Sequence, residues 1–323
     1  MNKGMKKILK ATLDYPLQRI NHLRFYRQSD EQTVIIAGSP RSGTSWLFEI
    51  LLELMPRSLG LWEPLRMSKY PYMRSLTSSF RPYLSPSEQY PGYRQFFSDL
   101  LAGRNARFDT IHSWNIREFK NYLSKNPRLL IKFVRANRLL PWLIEHFPSL
   151  QVLLIVRHPC AVVASQLNHP SWNYTRIQND SRYPVVSREF LRELPHIRKL
   201  LDFSLTPEEK LAVTWGFDYY IPLRYHIEQK VHTLFYENLV TRGELEMGRI
   251  TEHLGLNMDP EYLKLLKRPS QSTITNHNML FTSPINKWKD QLSPGQVSRI
   301  MRVVRGFGLD IYNDQPEPVK DFS

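Results

Sequence analysis

Thr33-Val-Ile-Ile-Ala-Gly-Ser-Pro-Arg-Ser-Gly-Thr-Ser-Trp46 carries a strand, a glycine-bounded loop and the opening of a helix in one stretch. The apolar run Thr33–Ala37 reads as a buried strand that ends at Gly38. Trp46, Leu47, Ile50, Leu51 and Leu54 then recur at helical spacing up to Pro56. A strand that passes through a Gly-rich loop into a helix presents backbone N–H groups and the positive end of the helix dipole, the arrangement that holds a phosphate. Gly38 and Gly43 keep the spacing of the nucleoside-triphosphate loop G-x-x-x-x-G-K-[ST]. Thr44, however, stands where that loop has its lysine, and the basic residue is Arg41, inside the loop. The group that would reach β- and γ-phosphates is missing, which argues against ordinary ATP hydrolysis.

The same strand-then-helix alternation continues outward. Leu129–Val134, Val152–Val156 and Val231–Phe235 are strand-like, with a helix-like Leu139–Phe147 between the first two. The pattern predicts an α/β fold, a P-loop-like, mainly parallel central sheet flanked by helices, in a single domain spanning 1–323. Residues 68–117 and 168–206 are rich in Tyr, Pro, Arg and Ser without a sheet pattern and read as helical insertions forming a lid over the sheet. Residues 1–30 read as an N-terminal helical extension. Met5–Leu17 gathers Ile8, Leu9, Leu13 and Leu17 on one face with Lys3, Lys6, Lys7 and Lys10 elsewhere. That pattern favours docking on the domain and leaves peripheral membrane contact open.

With 323 residues, 41% of them hydrophobic and 23% charged, the chain can bury a large core, and disorder, collagen and coiled coil are excluded. No repeat or low-complexity tract is found, and no run approaches the roughly 20 apolar residues of a membrane helix. The N-terminus lacks the continuous apolar run, about 7–15 residues, of a signal peptide, so the expectation is a mature cytoplasmic protein. The lone cysteine, Cys160, allows no internal disulfide and no thiolate metal site, and His112, His158 and His169 have no zinc-like spacing, so no metal is assigned. Forty-four Lys+Arg against thirty Asp+Glu give a net charge of +14, which calls for an anionic partner: nucleic acid, anionic lipid, or a phosphorylated or sulfated ligand.

A second motif narrows that choice. Arg157-His-Pro-Cys-Ala-Val-Val-Ala-Ser165 follows the strand Val152–Val156, with Arg157 at its C-terminal end and Ser165 two turns along the next helix. An arginine fork and a hydroxyl suit a phosphate monoester. Pro40–Trp46 resembles the 5′-phosphosulfate loop, and Arg157 with Ser165 the 3′-phosphate motif, of the sulfotransferase superfamily. Those enzymes transfer sulfuryl groups from 3′-phosphoadenosine 5′-phosphosulfate (PAPS), leaving 3′-phosphoadenosine 5′-phosphate (PAP). Leu61-Trp-Glu-Pro-Leu65, Ile131-Lys-Phe-Val-Arg135, Phe235-Tyr-Glu-Asn-Leu239 and Trp288-Lys-Asp-Gln-Leu292 resemble further segments of its carbohydrate, galactose and N-acetylglucosamine 6-O, branch. The resemblance runs from Val34 to Tyr312. It departs from the small-molecule branch, which has Lys in the first loop, a Lys-Thr-His segment and an Arg-Lys-Gly triplet. Here these read Arg41, Ile131-Lys-Phe and Phe281-Thr-Ser283. With no anchor or disulfide, a soluble, bacterial-type member fits best.

The resemblance implies that Arg41, Ser42, Gly43, Thr44, Ser45, Trp46, Arg157, Ser165 and Tyr236 bind the donor, with Trp46 and Tyr236 beside adenine. It also implies catalysis by Arg41 on the leaving group, Lys132 on the sulfuryl group and Glu63 as general base, with His112 or His169 next in line. Trp172-Asn-Tyr174 reads either as a sugar-stacking platform or as packing. The implied acceptor is a hydroxyl of a carbohydrate, glycolipid or related small molecule, placed under the insertions 68–117 and 168–206, with no nucleic-acid partner. A P-loop small-molecule kinase and a non-enzymatic basic nucleic-acid-binding domain are the alternatives. No motif specifies the acceptor or an oligomeric state.

Overall fold

A computed structural model describes residues 16, 19–25, 33–66, 71–77, 79, 81–107, 110–112, 115–124, 127–170, 173–180, 183–184, 191, 195–201, 205–224, 230–257, 263–268, 270 and 285–320. In chain order these form β1 (Thr33–Ala37), α1 (Thr44–Leu54), β2 (Ser58–Trp62), α2 (Pro71–Leu76), α3 (Pro91–Leu101), α4 (Ile116–Leu123), β3 (Arg128–Phe133) and α5 (Leu140–His146). There follow β4 (Gln151–Val156), α6 (Pro159–Leu167), α7 (Tyr174–Asn179), α8 (Pro207–Arg224), β5 (Val231–Phe235), α9 (Tyr236–Thr241), α10 (Gly243–His253) and α11 (Pro294–Gly306). The strands pair in the order β2-β3-β1-β4-β5, every pair parallel.

Period-two geometry explains why the central strands β1 and β4 read as unbroken apolar runs: helices cover both faces. Val34 and Ile36 join Leu47, Phe48 and Leu51 of α1 on one face. Ile35 and Ala37 join Leu211 and Trp215 of α8 and Ile300 and Val304 of α11 on the other. β3 and β4 each begin one residue before the apolar run that betrays them. β2, Ser-Leu-Gly-Leu-Trp, escapes the sequence pattern. It is an edge strand, and its Gly60 lies so close to α1 that a Cβ would meet Phe48 at 2.9 Å and Leu52 at 3.0 Å.

Within 68–117, α3 packs into the core, with Tyr93, Phe96, Phe97, Leu100 and Leu101 buried and Phe97 against Trp142. In 168–206 the described helical pieces are α7 and the turns 195–201; Trp172 and the side chain of Tyr174 lie outside the described residues, as do Met1–Tyr15 and Phe281–Ser283. Among the described residues no helix is long and apolar enough to cross a membrane, and no group of three or more His, Cys, Asp or Glu is placed to hold a metal ion. β1 leads to β2 on one side and β4 to β5 on the other. The crevice such a sheet offers a ligand therefore opens at the C-terminal ends of β1 and β4.

Candidate active site

Along the C-terminal edge of the sheet each strand delivers one of the residues singled out by sequence: Glu63 after β2, Lys132 near the end of β3, Arg41 after β1, Arg157 after β4 and Tyr236 after β5. At about 4.8 Å per strand, the row spans roughly 19 Å.

The loop after β1 is shaped by two constraints. Gly43 has φ 95°, a left-handed conformation, and a Cβ there would stand 2.6 Å from the Tyr236 ring, so only glycine fits. Gly43 also caps α1, where no side chain accepts from the first turn and no carboxylate lies in it, which leaves the N-terminal N–H groups of α1 for a ligand. Arg41 is itself left-handed at φ 75°. It is held from behind: the Ser42 N–H donates to the Ser39 carbonyl (3.1 Å), Gln166 Nε2 to the Pro40 carbonyl (2.9 Å) and Arg157 to the Arg41 carbonyl (2.9 Å). Arg41 Nε donates to Ser165 Oγ at 3.0 Å, so the loop after β1 and the helix after β4 meet directly. Burial, with Arg157 nearby, pushes the Arg41 guanidinium below its ordinary pKa, a setting that favours an incoming anion.

Arg41, Gly43, Thr44, Ser45, Trp46, Arg157 and Tyr236 line one cleft of about 570 Å³. The Arg157 guanidinium lies 4.1 Å over the Tyr236 ring, and Trp46 meets Tyr236 edge-on at 5.5 Å. Two predicted residues do not reach this cleft. Ser165 stands behind Arg41. Ser42 is buried, its hydroxyl 2.8 Å from Tyr219 Oη beneath the loop. The cleft suits an aromatic nucleotide carrying phosphates: backbone N–H groups at a helix start, two arginines and two aromatic rings.

At the β2 side, Glu63 is buried and left-handed, φ 53°. Its Oε1 lies 2.9 Å from Lys132 Nζ and its Oε2 3.0 Å from Arg135, while Lys132 Nζ sits 3.9 Å over the Trp62 ring. His112 stacks on Trp62 at 5.0 Å, and burial together with Lys132 holds its imidazole below the usual pKa. His169 is lowered by burial and by Arg41. Both reserve histidines thus border the row of site residues. Cys160 is buried, its thiol pushed up to about 12 by burial, so it is not a nucleophile.

Four participants escaped sequence reading. Tyr219 Oη donates to the Ile155 carbonyl (3.0 Å), accepts from the Ser39 N–H (3.0 Å) and meets Ser42 Oγ, bracing the loop from below. Lys267, Arg268 and Lys287 line the cleft, and Trp46 Nε1 donates to the Arg268 carbonyl at 3.0 Å. Nothing distinguishes Tyr219 from Tyr220 in sequence, and the three cations come from segments with no periodic signal.

A profile described as "Sulfotransferase family" matches residues 33–260. The chain therefore belongs to the sulfotransferase family, in place of the kinase alternative. The search of curated proteins returned no match. Similar solved structures include sulfotransferase STF9 from Mycobacterium avium, 14% identical, covering 92% of this chain and 81% of that one, TM-score 0.47. The sulfotransferase domain from the curacin biosynthetic pathway is 16% identical over 85% of this chain and 96% of that one, TM-score 0.44. Mouse sulfotransferase SULT7A1 complexed with PAP is 14% identical over 87% and 84%, TM-score 0.42.

Proposed function

We propose that the protein moves a sulfuryl group from PAPS to a hydroxyl of a carbohydrate, glycolipid or related small molecule, as a single domain of the soluble, bacterial type. The observation that carries this reading is the row at the sheet edge: aromatic and phosphate-binding groups on the β5, β4 and β1 side, a buried carboxylate and lysine on the β3 and β2 side. The donor lies in the cleft, its 5′-phosphate on the N–H groups of Gly43, Thr44 and Ser45, its 3′-phosphate on Arg157, its adenine between Trp46 and Tyr236. Ser42 and Ser165 act one step back, Ser42 fixing the loop through Tyr219 and Ser165 orienting Arg41.

In the transfer, the acceptor oxygen forms a bond to sulfur as the bond to the bridging oxygen breaks. Arg41 stabilises the charge that develops on that bridging oxygen. Lys132 is shared. Bound to Glu63 in the free protein, it turns toward a sulfuryl oxygen when donor arrives, which releases Glu63 Oε1 to take the hydroxyl proton while Arg135 keeps Oε2. The acceptor enters on the β2 side, under the segments 68–117 and 168–206.

The test is a screen of hydroxyl-bearing acceptors with radiolabelled PAPS, alongside thermal shifts with PAP and with ATP plus magnesium. Labelled product and a larger shift with PAP are expected; equal shifts and no labelled product would refute the assignment. In Glu63→Gln, PAP binding is retained and kcat falls by ~10²–10⁴-fold. Near-normal turnover would move the base to His112 or His169.

A further inference from the structure

α4 is inside out. Its buried side chains are Glu118, Asn121 and Tyr122, and its exposed ones include Ile116, Phe119 and Leu123, exposed to 76%, 48% and 54%. The buried half has a clear cause. β2 is an edge strand, and α4 covers its unpaired backbone: Asn121 Nδ2 donates to the Ser58 carbonyl at 2.7 Å, and the Gly60 N–H meets the Glu118 carboxylate. The polar residues must therefore face inward. Nothing in that requirement makes the outward positions apolar, since lysine or glutamate would cover the edge equally well and keep the surface wet.

The helix at residues 19–24 repeats the inversion where it touches α4. Asn21 is buried, with its Oδ1 accepting from Tyr122 Oη at 2.8 Å, and Arg24 donates to the Tyr122 carbonyl at 2.6 Å. Ile20 and Leu23 are exposed to 46% and 82%. These two adjoining helices hold five of the eight large hydrophobic side chains that are exposed among the described residues. Scattered exposed hydrophobics need no explanation, but a concentration on two touching helices marks a surface that something covers.

Charge identifies the cover. The cations of the two helices are Arg19, Arg24, Arg117 and Lys120; Arg24 is held by the Tyr122 and Ser124 carbonyls and Arg117 pairs with Glu53 at 2.7 Å, while Arg19 and Lys120 are exposed and the helices' one carboxylate, Glu118, is buried. The sequence leading into them adds Lys3, Lys6, Lys7 and Lys10 against Asp14 alone. We infer that this face, α4 with residues 19–24, docks on an anionic phospholipid surface, inserting Ile116, Phe119, Leu123, Ile20 and Leu23 at the headgroup boundary while the exposed Arg19 and Lys120 meet lipid phosphate. Such binding combines apolar insertion with attraction screened by salt.

The experiment is co-sedimentation of the full chain with vesicles of phosphatidylglycerol in phosphatidylcholine and with vesicles of phosphatidylcholine alone. Binding to the first, weak binding to the second and loss at high salt are expected. The variant Ile116→Ser/Phe119→Ser/Leu123→Ser should lose at least about tenfold in partitioning with an unchanged melting temperature, because all three side chains face outward. If the triple variant melts early, Phe119→Ser alone and Lys120→Glu replace it, each expected to weaken binding several-fold. Absence of binding to the anionic vesicles overturns the inference. So does undiminished binding of the variants, which would assign the effect to the N-terminal lysines alone. A concentration-dependent dimer abolished by the same substitutions overturns it too, by making a second copy the partner. None of these readouts depends on the sulfuryl-transfer assignment.

Discussion

Removing the Tyr219 hydroxyl tests how the donor loop is held. Tyrosine offers one donor and two acceptor positions, and here all three are used, on Ile155, Ser39 and Ser42, in a side chain that is fully buried. In Tyr219→Phe the Ser42 hydroxyl can rotate to another partner, but the Ser39 N–H and the Ile155 carbonyl are backbone groups and stay where they are. Each buried group left without a partner costs about 1–3 kcal/mol, so the variant should lose roughly 2–5 kcal/mol of stability. At about 2.1 cal/mol/K of unfolding entropy per residue, that is a melting temperature lower by roughly 3–7 °C. Ser39 and Ser42 also belong to the loop that, in the proposed function, presents N–H groups to the donor, so PAP affinity should fall by about 10- to 100-fold, a conversion of ~1.4–2.8 kcal/mol. The assays are thermal unfolding and isothermal titration with PAP. Tyr220→Phe is the control, because the Tyr220 hydroxyl meets Arg224 on its own helix and not the loop. A Tyr219→Phe protein that melts and binds PAP like the wild type would refute the reasoning.

Gly43→Ala forces a side chain into a left-handed residue and against Tyr236, so PAP binding should weaken at least about tenfold by titration, the equivalent of ~1.4 kcal/mol; wild-type affinity would mean that the loop relaxes freely. Arg157→Ala should weaken PAP by ~10- to 150-fold, the loss of charged hydrogen bonds worth about 1.5–3 kcal/mol. Adenosine 5′-phosphosulfate, which lacks the 3′-phosphate, should be affected much less, and equal losses in the two titrations would remove Arg157 from that role. Glu118 is raised by burial to about 7 from 4.5, against the opposing pull of the Gly60 N–H and Arg117. The folded state therefore holds this proton where the unfolded state has lost it, and the contribution to stability falls as pH rises from about 4.5 to about 7 and is flat above. Glu118→Gln should be more stable than wild type at pH ~8 in urea unfolding, with the difference closing toward pH ~4.5; a constant offset across that range would contradict the assignment.

The legible parts of this protein are those where local geometry demands particular residue types. The loop Gly38–Ser45 announces itself because a left-handed helix cap pressed against an aromatic ring admits only glycine, and Arg157 because it leaves a strand that is apolar on both faces. β1 and β4 are visible as unbroken apolar runs for the same reason, a sheet covered twice, and β3 and β5 as largely apolar ones. β2 is not. Its apolar residues are interrupted by Gly60, which is pressed against α1, although the Glu63 it delivers was visible through the residues that follow it. The cleft cations Lys267, Arg268 and Lys287 and the brace Tyr219 were hidden because their position is set by tertiary packing, which leaves no period in the sequence.

Tyr219 also shows how the two halves of the site share a support. Its neighbour Asp218 is buried and pairs with Arg81, from the segment 68–117, and with Arg138 Nε at 3.1 Å, from the turn after β3. Burial lowers the Arg138 guanidinium to about 10, with Asp218 opposing that shift. Consecutive residues of α8 therefore hold the loop after β1 through a hydroxyl and the segment 68–117 through a carboxylate. A buried pair of this kind adds little net stability over an apolar replacement, but it fixes which surfaces meet. Placing both contacts on one rigid helix sets the two parts that the proposed function assigns to donor and acceptor against each other without a flexible joint between them. In-line transfer depends on that, since a displacement of about 1 Å between reacting groups can cost ~10²-fold in rate.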